Sequence, residues 1–244
     1  MSGGVGGIRA VCASKSTTAS FCVRSAGRAG RRTWIGRRGS GIGVTRWACF
    51  GIGLTAADHH EDALSVREAE LAMVRRLGAS EEDILVVQTN LAGTYRSLGR
   101  LEDCLRTQGD VYSGTLKLYG EEHRDTLGDA SNYALCLIDL QRFEEAKALI
   151  REVMPVARRV LGESDDLTLR MRLAYARALY KDAAASLNDL REAVTTLEDT
   201  VRIRRRVLGG SHPTTKGLER NLRDARAALA ARETPPPPSP SGDV

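Results

Sequence analysis

The sequence predicts an all-α chain, an α-solenoid of antiparallel helix pairs with disordered ends. Three observations predict it. Apolar residues recur at three- and four-residue spacing, as in Leu91, Tyr95 and Leu98 or in Phe143, Ala146, Leu149, Ile150 and Val153. Aromatic residues make up only 5% of the chain, which disfavours the alternating pattern of a β-sandwich. A glycine junction is also written four times, around Gly78, Gly120, Gly162 and Gly209, in steps of 42, 42 and 47 residues.

Residues 1–57 come first, and they read as a separate segment. They hold eight Arg and Lys15, are rich in Gly, Ser and Thr, and contain no Asp or Glu. Such a stretch buries too little apolar surface to offset its ordering entropy. It is expected to be a disordered leader, an organelle transit peptide or a spurious upstream extension. Removing it turns the formal charge of +5 into a body with 27 basic and 31 acidic residues. The basic character belongs to the leader, so a nucleic-acid-binding body is not expected. No run of eighteen apolar residues suggests a membrane span. The expected compartment is the cytoplasm, or a mitochondrion or plastid if the leader is an import signal.

The repeat domain is expected over 58–232, with units at about 78–119, 120–161 and 162–208 and a capping helix at 213–230. A leading helix is expected at 61–77. The first helices of the pairs are expected at 83–98, 125–140 and 166–180, and the second at 101–118, 142–160 and 188–207. Three tracks keep the period. Twelve residues past the glycines stand Asn90, Asn132, Ala174 and Asn221; six past stand Ile84, Thr126, Thr168 and Thr215; three past stand His123 and His212.

Each junction reads as a stop followed by a start. Gly after a helix that ends in Leu or Tyr supplies a left-handed residue. Arg75, Arg76, Arg158, Arg159 and Arg204 to Arg206 face the negative helix end. Ser80, Asp125, Ser164 and Ser211 are the expected N-caps, and Pro213 suits a first helical turn. His123 and His212 are expected to bond nearby backbone. The third unit is five residues longer, and aligning LREA with FEEA puts the insertion at about Lys181 to Leu187. Residues 233–244, ETPPPPSPSGDV, read as an extended, solvated tail.

These residues resemble tetratricopeptide repeats of the 42-residue kind found in kinesin light chains. The shared pattern is a Gly-x-x-His-(Pro)-x-Thr junction, then NLAxxY (Asn90 to Tyr95) or NYAxxL (Asn132 to Leu137), then GRLEDC or QRFEEA. Small residues Ala92, Ala134, Ala176, Ala146 and Ala193, with Cys104 at the matching place, let helices approach. The resemblance covers about 61–230. With about three full repeats and no heptad coil before them, it implies a light-chain-like repeat protein and not a kinesin light chain itself. It also implies a right-handed superhelix whose first helices line a concave face that binds an extended peptide or a partner helix.

On that face the candidate site residues are Asn90, Asn132 and Asn221, with Arg96, Arg170, Arg177 and Arg220; Thr89, Gly93, Ser131, Leu135 and Lys181 lie on or beside it. An Asn amide both donates and accepts, so a ladder of them can hold peptide bonds or can fix one repeat on the next. The arginines suit an acidic ligand if they are not ordinary solvated surface. The expected function is a non-catalytic protein-interaction scaffold without a cofactor. The alternatives are an imported assembly factor or a non-catalytic fragment of a larger enzyme. DHHED (Asp58 to Asp62) reads as a polar linker and not as a metal site. Cys104 and Cys136, without CxxC spacing, read as small buried helix residues.

Overall fold

The computed structural model describes residues 60–234; the leader with Cys12, Cys22 and Cys49, the pair Asp58 and His59, and the tail beyond 234 lie outside the described residues. Eight helices follow one another, with no strand among the described residues: α1 (His60–Arg76), α2 (Glu81–Ser97), α3 (Leu101–Tyr119), α4 (Arg124–Asp139), α5 (Phe143–Leu161), α6 (Asp166–Tyr180), α7 (Leu187–Leu208) and α8 (Pro213–Glu233). Their ends fall within about three residues of those expected from the sequence. The chain divides at Glu70 into two units. In the described part of the first, Arg67 Nη1 donates to Glu70 Oε2 at 2.9 Å, with both side chains buried.

From Leu71 the described chain is a solenoid of antiparallel pairs. Consecutive helices pack from α2 to α8, and the first helices of the pairs also touch one another, α4 with α6 and α6 with α8. No contact of comparable extent joins α3, α5 and α7 among the described residues. In a curved stack the layer on the inside is the one whose members approach most closely, so α4, α6 and α8 form the inner layer. The core lies between each pair and the next first helix. Leu127, Ala130, Val153, Ala157, Leu167 and Met171 make one cluster of α4, α5 and α6. Leu179, Ala193, Leu197, Leu218, Leu222 and Ala225 belong to the next, of α6, α7 and α8.

The junctions between units differ from expectation in two ways. Gly120, Gly162 and Gly209 are themselves the C-caps, with φ of 81°, 90° and 82° but ψ of 175°, 162° and 163°. That is extended backbone at positive φ, a region open essentially to glycine alone, and not the left-handed helical bend. The N-caps are also shifted. Ser80 caps α2 as expected, but His123, Asp165 and His212 cap α4, α6 and α8 in place of Asp125, Ser164 and Ser211. Each cap stands three residues past its glycine, where the chain is extended and the side chain can turn back to the free amides. His123 Nδ1 accepts from the Asp125 amide and His212 Nδ1 from the Thr214 amide, the backbone role expected of both rings.

Left-handed bends do occur, at the ends of α1 and α2 and between α4 and α5. Gly78 (φ 66°), Gly99 (φ 72°) and Gln141 (φ 60°) take them. At each, the next residue's amide reaches back five positions and the bend residue's own amide reaches back three, which closes a Schellman motif.

The five extra residues of the third unit do not all sit in the inner turn. That turn grows from 140–142 to 181–186, α7 is 22 residues against 19 for α5, and α6 is one residue shorter than α4. The added turn of α7 starts at a capping box in which Ser186 and Asp189 satisfy each other's amides. The insertion is tied on both sides. Asp182 pairs with the buried Lys147 of α5 at 3.6 Å, and Arg232 of α8 donates to the Ala183 carbonyl at 2.8 Å.

Candidate functional site

α2, α4 and α6, with Thr115 and Tyr119 of α3, bound a cavity of about 370 Å³. Asn90, Asn132 and Arg170 line it, three of the seven residues that the sequence singled out. Thr89 is beside Asn90, and Leu85, Val86 and Leu167 supply apolar wall. Val86 is 56% exposed, an unusual place for a large aliphatic side chain unless something covers it. Gly128 in the same wall has open space where a side chain would begin, which keeps the cavity clear.

The other candidates have different surroundings. Arg96 Nε lies 2.5 Å from Asp139 Oδ2, and Arg177 Nη2 is 3.9 Å from the second oxygen of the same carboxylate. Asp139 therefore ties α2 to α6 through the end of α4, and both guanidiniums have an internal counter-charge. Asn221 accepts from the Tyr180 hydroxyl at 2.9 Å and donates to the Gly217 carbonyl at 2.8 Å, so its amide joins α8 to α6. Arg220 is exposed on α8. Within the cavity, Arg170 Nη2 donates to Asn132 Oδ1 at 3.3 Å.

The charge at the cavity is mixed. Glu82, Asp125, Asp129 and Asp166 stand with Arg124 and Arg170. Arg124 already pairs with Asp165 at 2.9 Å, and Asp166 with the buried Arg204 at 2.6 Å. Asp129 is 8% exposed, and Gln108 Nε2 donates to its Oδ1 at 3.3 Å. Burial pushes its carboxyl up to about 6, against hydrogen bonds from Gln108, Thr115 and Asn132 that pull it down.

Sequence reasoning missed Asp129 and Gln108, and the repeat itself holds the signal. Reading along the period, the place of Asp129 is taken by Val87, Met171 and Leu218, all buried. The place of Gln108 is taken by Ile150 and Leu197, also buried. A core contact that is apolar in the later units is a polar pair here, at the wall of the cavity. Gly114 was missed as well. A methyl group there would come within 2.6 Å of Leu85 Cδ2, so its bare backbone lets the Leu85 wall lie against α3.

Comparison with known proteins agrees with this architecture. The tetratricopeptide-repeat family pattern matches residues 130–166 and 182–214. The matched stretches read as tetratricopeptide repeats, and the fold of the chain is like that of solved kinesin-light-chain-like repeat proteins. A solved structure of a kinesin-light-chain candidate from Podosopora anserina, with nearly identical TPR-like repeats, superposes with a TM-score of 0.64 at 21% identity, covering 78% of this chain and 88% of that one. A crystal structure of a substituted form of that protein gives 0.65 at the same identity, with 78% and 87% covered. BtubC (BKLC) from P. vanneervenii gives 0.60 at 16% identity, with 93% and 94% covered. At these identities the likeness is one of fold. No curated protein matches the sequence. Among the described residues of the repeat protein, no helix is long and apolar enough to cross a membrane.

Proposed function

We propose that the protein is a non-catalytic interaction scaffold that binds an extended segment of a partner protein against its inner layer of helices. One observation carries the reading. Asn90 and Asn132, one repeat apart, open with Arg170 onto a single cavity walled by Leu85, Val86 and Leu167. Amides at repeat spacing can accept from and donate to successive peptide bonds, while the apolar wall takes a side chain between them. The acidic guest suggested by the arginine set finds Arg170 here and Arg220 farther along. Arg96 and Arg177 are engaged by Asp139. The carboxylates at the cavity favour a guest that carries both signs.

The test starts from linear peptides selected out of a phage-displayed random library on the full chain, and measures their affinity by fluorescence anisotropy. Micromolar affinities are the order expected for such a groove. Replacing Asn90 and Asn132 together by Ala removes two hydrogen-bonding amides and weakens binding by roughly tenfold or more, with helicity by circular dichroism unchanged. Equal affinity in the double variant moves the site off this wall and ends the proposal.

A further inference from the structure

The α3–α4 interface holds a second departure from the repeat. Cys104 near the start of α3 and Cys136 near the end of α4 are 1% and 3% exposed. Their places in the following units are taken by Ala146 with Ala178 and by Ala193 with Ala225, all fully buried. Ala193 and Ala225 lie in one core cluster, on a second helix and the next first helix that pack against each other. Only small side chains fit there, and at α3–α4 both are thiols, close enough to perturb each other's ionisation. Both are free cysteines.

We propose that Cys104 and Cys136 form a site of reversible oxidation, closing a disulfide that locks the first helix pair to the second. The bond joins antiparallel helices that already pack against each other. The oxidant is a hydroperoxide such as hydrogen peroxide. The Cys104 sulfur attacks one peroxide oxygen, the O–O bond breaks, and water leaves, giving the sulfenic acid. The Cys136 sulfur then attacks the Cys104 sulfur, the S–O bond breaks, and a second water carries away the remaining thiol proton. Two thiols and one peroxide become one disulfide and two waters. The roles follow from the site. The neighbouring Cys136 thiol lowers the Cys104 pKa, with the Arg96 guanidinium adding to the effect against burial and Asp139; Cys136 is pushed up by the neighbouring Cys104 and by burial. Cys104 is thus the sulfur readied for the first attack, and Cys136 is the resolving partner already in contact with it. Burial makes the reaction slow and selective, since the oxidant enters only when the contact opens.

The experiment uses the full chain with Cys12, Cys22 and Cys49 replaced by Ser. It is treated with hydrogen peroxide, unfolded with iodoacetamide present, and mapped by mass spectrometry. The expected product is a linked pair of peptides containing Cys104 and Cys136, with neither thiol alkylated and with release by dithiothreitol. The oxidised chain then unfolds at a higher temperature than the reduced one. The variant with both Cys104→Ala and Cys136→Ala copies the later units, keeps the fold, and shows an unfolding temperature that peroxide does not move. Recovery of both residues as alkylated thiols, or as separate sulfinic acids without a link, would overturn the proposal.

Discussion

The helix pairs α4–α5 and α6–α7 are alike where one pair meets the next and unlike inside. Each opens on a glycine at positive φ with extended ψ, reaches its N-cap three residues later, and buries a threonine, Thr126 or Thr168, just beyond. The turn within the pair holds three residues in one and six in the other. Yet Ala193 and Ala146 keep equivalent buried places. The junction is fixed because its backbone must change direction over a few residues. The inner turn is free because added residues are absorbed by an extra helical turn and by side-chain ties to α5 and α8.

The largest test of that contrast is at a junction. Gly162→Ala puts a side chain at φ 90° and ψ 162°, where no L-residue is at ease. It is expected to cost about 2–3 kcal/mol by urea unfolding. Gly99→Ala, in the left-handed bend of an inner turn at φ 72°, costs less, about 1 kcal/mol. Equal losses at the two sites would erase the distinction between junction and turn.

The same contrast explains what the sequence revealed. Helix ends at the junctions were legible because glycine marks them, at Gly78, Gly120, Gly162 and Gly209. The caps were less legible because Ser and Asp are common at junctions, and the choice depends on a single residue of register. Ser164 and Asp165 are adjacent, and only the distance from Gly162 decides between them. At the site, Asn90, Asn132 and Arg170 could be placed by period alone. The engagement of Arg96 and Arg177 by Asp139 could not, because that carboxylate reaches them from another helix, outside their own period.

A second test compares the slot that holds Asp129 in the second unit and Met171 in the third. Asp129 is pushed up to about 6 by burial. Between about pH 4 and pH 6 the folded chain therefore holds more protons there than the unfolded one, so this group lowers stability as pH rises through that window. Above it both states are ionised and the penalty stays. Asp129→Asn keeps an acceptor for Gln108 and removes the charge. It is expected to stabilise the chain by about 1–2 kcal/mol at pH 7 after allowance for partial solvent access, and to flatten the slope between pH 4 and pH 6. Thermal unfolding across that range checks it. A loss of stability at pH 7 would show that the carboxylate is held by more than its neighbours in the cavity wall.

The smallest effect separates the two inner turns. Gln141 closes α4 at φ 60°, the place that Gly99 takes one repeat earlier, and it carries a side chain where the backbone favours none. Gln141→Gly removes that strain but adds freedom to the unfolded chain. The balance is a gain of about 0.5–1 kcal/mol, read as a higher urea midpoint with an unchanged slope. The longer turn of the third unit does without this bend. Lys181 ends α6 in right-handed helical geometry, at φ −85° and ψ −14°, much as Leu140 ends α4, but no residue of 181–186 follows with a positive φ, and the insertion makes the change of direction instead. Lys181→Gly therefore relieves nothing and costs about 0.5–1 kcal/mol from backbone entropy. Opposite signs at two residues that each close a first helix would show that the short turn is held by a strained bend and that the long turn avoids it by its length.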